Sequence, residues 1–156
     1  MAKENINELI KTGRLITYYL FRDAKKIGLT LSELPFDKGV EFRKKTIDKY
    51  YDSLRINIIL PHTQMVFPDM WGIIGEINEI TDNFLIFFDG YMDRHVIEMN
   101  NIHDFAKLVE ETIIFDFYII NRELDYLIQW DSSCQILIGA GKAKEWVESL
   151  IKRHSK

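Results

Sequence analysis

Phe84-Leu85-Ile86-Phe87-Phe88 is an unbroken apolar run, entered through Thr81-Asp82-Asn83 and left through Asp89-Gly90. It is too short for an ordinary helix, and its aromatic and branched content suits a strand. A strand with one face in water alternates apolar and polar side chains. This run does not alternate, so it is expected to be a central strand covered on both faces. Working outward, residues 71–80 and 84–91 read as two strands joined by a hairpin turn at Thr81-Asp82-Asn83, and residues 94–99 as another. Residues 114–120, 126–130 and 135–138 read as three more, separated by turns rich in Asn, Asp and Ser. Gly139-Ala140-Gly141 is expected to break the last of them. Residues 55–60 are β-branched and end at Pro61, and Pro61 and Pro68 bracket a stretch with no clear period.

Helical spacing dominates elsewhere. Residues 5–11 can form a short helix stopped by Gly13, and Ile16, Leu20, Ala24 and Ile27 recur at helical spacing until Gly28. Thr30 and Glu33 have capping-box spacing, but Pro35 follows too soon for a long helix. Across residues 40–54 the stripe Val40, Ile47, Tyr50, Tyr51 and Leu54 predicts an amphipathic helix whose solvent face carries Arg43, Lys44, Lys45 and Asp48. Asn101 and Asp104 stand as N-cap and N3 residue of a helix with Ile102, Phe105, Ala106, Val109 and Ile113 on one face. A final helix over residues 143–153 carries Ala143, Trp146, Val147, Leu150 and Ile151, with Trp146 expected to pack on the sheet. Short turns favour antiparallel pairing. The expected fold is therefore α+β, one domain over residues 1–156: an antiparallel meander-like sheet with helices packed on it, a helical N-terminal third and a C-terminal helix.

Composition narrows the function. Of 156 residues, 47% are apolar and 28% charged, which excludes a disordered tail or a collagen-like repeat. No apolar run approaches the roughly 18–20 residues that cross a bilayer, and Met1-Ala2-Lys3-Glu4-Asn5 lacks the features of a signal peptide, so a cytoplasmic protein without a membrane role is expected. The one cysteine, Cys134, cannot form an internal disulfide or a cysteine zinc cage. The net charge of −4 hides an asymmetry: residues 61–140 hold 14 acids against Arg94, Lys107 and Arg122, whereas residues 1–60 hold 12 bases against 8 acids. Either the central acids share a surface, steering basic partners and repelling nucleic acid and anionic membrane, or they are scattered round a solvated rim.

Asp89-Gly90-Tyr91-Met92-Asp93-Arg94-His95 is the densest polar cluster. Two carboxylates and an imidazole can ligate a metal or do acid–base work, but the same residues make an ordinary turn with an exposed ion pair. His62, His95, His103 and His154 form no zinc-binding spacing, and His103 and His154 read as surface residues. Cys134 has no local base and reads as a structural thiol at the edge of the core. Gly139-Ala140-Gly141-Lys142 lacks the spacing of a phosphate loop. No catalytic residue, cofactor or metal is expected, and the protein is read as not an enzyme.

Residues 115–141 include Phe117-Tyr118, a turn from Asn121 to Asp125 and a closing Ile138-Gly139. This stretch resembles the C-terminal strand–turn–strand segment of small bacterial immunity proteins that partner polymorphic toxins. The chain also has the size and acidity of the immunity components encoded beside LXG-type toxins of Bacillus-like bacteria. Relatives of that kind often carry a His-His pair where this chain has Ser132-Ser133, so any role of that pair is lost here. The resemblance implies an inhibitor that binds and neutralises a cognate toxin. An acidic surface would suit a basic nuclease, whose cleft must bind phosphate. Position in turns and strand ends selects Asp82, Asp89, Asp93, Asp125 and Asp131 as interface acids, with Tyr91 and Tyr126 as aromatic support. The competing reading is a small-molecule-binding domain or small enzyme in which the Asp89 to His95 cluster lines a pocket.

Overall fold

The computed structural model describes residues 5–54 and 57–155. Seven antiparallel strands form one sheet: β1 (Ser32–Glu33), β2 (His62–Val66), β3 (Phe84–Phe87), β4 (Ile97–Met99), β5 (Phe117–Ile120), β6 (Tyr126–Asp131) and β7 (Ile136–Gly141). Their order is β1-β4-β3-β5-β6-β7-β2. The helices are α1 (Ile6–Lys11), α2 (Leu15–Lys26), α3 (Phe36–Tyr50), α4 (Ile102–Glu111) and α5 (Ala143–His154). The chain is thus α+β, with β5, β6 and β7 as a consecutive meander. No helix among the described residues is long and apolar enough to cross a membrane.

The run at residues 84–88 is buried at every position. Phe84 and Ile86 face a core closed by Ile16 and Leu20 of α2, Phe105 and Leu108 of α4, and Val147 and Leu150 of α5. Leu85 and Phe87 face the other way, into a smaller cluster with Tyr50, Tyr51, Val96, Ile120 and Leu127 beneath α3. Two covered faces are what a strand without alternation requires. Asn101 caps α4 as expected, accepting from the backbone N–H groups of His103 and Asp104.

Several elements differ from the sequence reading. Residues 71–80 form no strand; they contain a short 3-10 turn, Ile73–Glu76, and the apolar positions Ile73, Ile74, Ile77 and Ile80 are buried. Their spacing of three and four is helical rather than alternating. Thr81-Asp82-Asn83 consequently closes no hairpin, and β3 pairs with β4 and β5 instead. The unassigned stretch becomes the edge strand β2, paired with β7. Of the strand expected at 55–60, residues 55 and 56 lie outside the described residues, and Ile58 makes a single bridge to Tyr51. Glu33 of the expected capping box begins no helix there; with Ser32 it forms β1, which extends the sheet against β4.

α3 is rotated relative to its expected stripe. The helix spans Phe36–Tyr50 rather than 40–54, which leaves Leu54 beyond its end; Tyr50 and Tyr51 are buried as expected, but Val40 is exposed, Gly39 and Thr46 are buried and Arg43 is drawn inward. The cause is Gly39, where even a β-carbon would sit 3.2 Å from Val96 Cγ2, so the helix backbone itself approaches the sheet there. β7 runs through Gly139 and Ala140 to Gly141 rather than breaking. A side chain at Gly139 would meet the Ala143 carbonyl, so this glycine keeps the strand and lets α5 lie against it.

On α5, Ala143, Val147 and Leu150 are fully buried, but Trp146 is only partly so, resting on Tyr126 at a ring separation of 4.8 Å. Leu150→Ala should therefore cost about 2–5 kcal/mol in urea denaturation. Trp146→Ala should cost less, although it removes more atoms. Equal losses would place the tryptophan in the core after all.

Candidate functional site

β3 and its antiparallel neighbours sort the strand-end acids onto two opposite ends of the sheet. Asp82 precedes β3 and lies with the β5–β6 turn that carries Glu123 and Asp125. Asp89 follows β3, Asp116 precedes β5 and Asp131 ends β6, so these three gather at the other end. The seven interface candidates do not form one surface.

At the first end, two adjoining hollows of about 190 and 550 Å³ share Thr81, Asp82, Asn83 and Asn121. Glu79 and Asp125 line the smaller, and Glu123 lines the larger. Asn121 shapes the turn: its side-chain amide donates to Asp125 Oδ2 at 3.0 Å, and its Oδ1 accepts from Asp125 N at 2.9 Å. Two cations border the hollows. Lys142 Nζ stands 3.7 Å from Asp125, and Arg122 is turned to Glu98 at 2.9 Å. Four carboxylates against these two leave the cleft anionic. Tyr126 registers that field. Burial first, then the charges of Asp82, Glu123 and Asp125, push its hydroxyl well above the usual tyrosine range. Tyr126 is itself buried, in the core beside Trp146, so it is not an exposed interface aromatic as expected. Glu79 and Glu123 belong to this site and were not singled out from sequence.

At the second end, Asp131 Oδ1 accepts from Ser133 N, Ser133 Oγ and Cys134 N, and Asp116 Oδ1 accepts from Ser132 N and Oγ at 2.7 Å. The Ser132-Ser133 pair and both acids are thus committed to one turn. Burial raises the Asp131 carboxyl, but these donors outweigh it and hold the group below the usual carboxylate range. Cys134 is exposed in this turn rather than at the core edge. Asp89 is also exposed, accepting from Tyr91 N at 3.0 Å, and Tyr91 is 78% exposed. These two are accessible to a partner.

The Asp89 to His95 cluster does not converge on one pocket. Asp93 and His95 are buried beneath the α1–α2 turn. Asp93 Oδ2 accepts from Thr17 N at 2.6 Å, and its Oδ1 accepts from His95 N and lies 2.9 Å from His95 Nδ1. His95 Nδ1 is also 3.0 Å from the Gly13 carbonyl, and Nε2 lies 2.8 Å from Arg14 Nη1. A guanidinium can only donate, so Nε2 accepts and Nδ1 carries the proton. Arg14 continues to Glu33 of β1 at 3.3 Å. Asp93 is therefore a structural anchor tying α2 to the approach to β4, not a surface acid, and His95 is not a surface histidine. His154 is exposed as expected, and it pairs with Glu76 at 3.0 Å. No cluster of three His, Cys, Asp or Glu suited to a metal occurs among the described residues.

Compared with family models, curated proteins and solved structures, the chain matches none.

Asp93→Ala should cost about 3–5 kcal/mol in urea denaturation, because it removes the buried acceptor of the Thr17 and His95 backbone N–H groups. Asp89→Ala should stay within about 0.5 kcal/mol of the parent.

A second buried carboxylate, Asp23 on α2, accepts from Thr112 Oγ1 at 2.7 Å and pairs with Arg22 at 3.0 Å. Burial raises its carboxyl, but these hydrogen bonds and the charges of Arg22 and Lys26 bring it below the usual value. A carboxyl lowered by folding stabilises the protein fully above its unfolded pKa, near 3.9, and loses that contribution as pH falls through the folded value. The urea midpoint should hold between about pH 7 and 5, then decline below about pH 4. Asp23→Asn should lower the plateau and shallow the decline.

Proposed function

We propose that this chain is an immunity-type inhibitor that neutralises a basic toxin, a nuclease, in the cytoplasm by docking its anionic cleft onto the toxin's cationic site. The observation that carries the reading is the convergence of Glu79, Asp82, Glu123 and Asp125 on one cleft at one end of the sheet. These acids come from separate parts of the chain, and Asp82 and Asp125 were both expected at an interface. A carboxylate set in a concave surface offers lysine and arginine side chains what a phosphate backbone offers them. The same charge disfavours nucleic acid as the partner. Catalysis is not part of this function: the cleft acts by occupancy and charge. Asp89 and Tyr91, exposed at the far end, are a secondary contact for a partner large enough to wrap the sheet.

The test is binding kinetics against the product of the neighbouring toxin gene. Association should slow as ionic strength rises from 0.01 to 0.1 M, because the Debye length falls from about 30 to about 10 Å. Asp82→Asn and Asp125→Asn should each weaken binding, by about 2–5 kcal/mol where the carboxylate is buried against a toxin cation and mainly through association rate where it stays at the rim. Tight binding indifferent to salt and to both substitutions would refute the acidic cleft. No binding would refute the inhibitor.

A further inference from the structure

A separate hollow of about 280 Å³ lies on the α3 face, at the far end of β3 from the acidic cleft, walled by Arg43, Ile47, Tyr51, Phe87, Asp89-Gly90 and Tyr118. The rings of Phe87 and Tyr118 stack at 4.7 Å, and Tyr51 meets Tyr118 edge-on at 6.4 Å. Arg43 lies across this wall, its Cζ 5.6 Å from the Phe87 ring centre. Its guanidinium rests directly on Gly90, where a β-carbon would sit 2.6 Å from Nη1. A side chain at this position would push the guanidinium aside.

Arg43 is charged at every ordinary pH and carries five N–H donors in a fixed fork. Its Nε is buried and makes no hydrogen bond, and among the described residues no ion pair to Arg43 is formed. A cation drawn out of water without a paired anion is costly, and it gains when an anion joins it. Burial, ahead of any charge, pulls the guanidinium below its ordinary value; Tyr118, Asp89 and Asp93 favour the cation and Arg94 opposes it, and Asp89 lines the same hollow. The Tyr118 hydroxyl makes no hydrogen bond among the described residues. Burial, followed by the charges of Asp89 and Asp116, holds it protonated above the usual range, so it is a free donor.

We propose that this hollow binds a small planar carboxylate carrying an apolar ring. The two carboxylate oxygens match the guanidinium fork, and the ring matches the Tyr51 and Tyr118 surfaces. The volume admits a single ring. A phosphate dianion meets twice the repulsion from Asp89 and its neighbours that a carboxylate meets. The proposal does not rest on toxin inhibition, since the acidic cleft lies at the opposite end of the sheet; Asp89 alone is shared with the secondary contact proposed above.

Benzoate is the probe, titrated into the full chain and followed through ¹H–¹⁵N shifts, the Arg43 Nε–H among them, with benzamide as the neutral isostere and inorganic phosphate as the competing anion. Benzoate should saturate with a dissociation constant on the order of 1 mM. Benzamide and phosphate should each bind at least about tenfold more weakly, and Arg43→Gln should lose benzoate by a similar factor. Asp89→Asn should tighten it, and Tyr118→Phe should weaken it. The proposal falls if benzoate does not saturate by about 20 mM, or if benzamide or phosphate equals it. It also falls if Asp89→Asn leaves affinity unchanged while lowering the melting temperature, because Arg43 would then serve only as the structural partner of Asp89. Should Arg43→Gln fail to fold, the Asp89 and Tyr118 variants decide, and no change in either overturns the site.

Discussion

β3 is buried on both sides, and that constraint organises the molecule. A strand with Phe84 and Ile86 on one face and Leu85 and Phe87 on the other cannot lie on a one-layer core; each face must be closed by other chain. α3 closes one face, and α2, α4 and α5 close the other. This accounts for helices at both ends of the chain and in the middle. It also expels polar groups from both faces of the central strands, because a buried polar side chain without partners is costly. They collect where strands end, and the chemistry of the protein is concentrated there.

The two ends differ in character. One gathers carboxylates from the loop before β3 and the turn after β5, with Lys142 and Arg122 only partly offsetting them. The other places an arginine among stacked aromatic rings, with acids held slightly apart. Antiparallel pairing produces this division. It brings the start of one strand beside the end of the next, so acids distant in sequence meet and acids close in sequence separate.

Asp89, Asp93 and His95 illustrate the separation. They lie within a few residues of each other, yet Asp89 stays in solvent while Asp93 is wholly buried. A carboxylate survives burial only with several donors, and Asp93 has the backbone of Thr17 and both the backbone and ring of His95. The residues that looked most like chemistry in the linear chain hold α2 and β1 to the sheet. Arg43 is the converse. It looked like one of several solvent-facing bases on α3, and the approach of Gly39 to Val96 turns it inward.

The fold class, the doubly covered strand, the Asn101 cap and the α5 stripe were legible in the sequence, because each depends on local periodicity or on neighbours a few positions apart. The strand expected at residues 71–80 failed on the same ground: its apolar spacing fits a helical turn, and only packing against α4 decides between the two. Asp82 and Asp125 were identifiable as turn acids, but nothing local brings them together or adds Glu79 and Glu123. That required the strand order, in which β3 and β5 are neighbours. Burial of Asp93, His95 and Tyr126, and the inward turn of Arg43, likewise depend on contacts between residues far apart in the chain. Sequence alone determined the fold class and those elements whose apolar period is unambiguous; the tertiary structure decided which face α3 turns inward and which polar groups meet, because strand pairing and helix rotation set those distances.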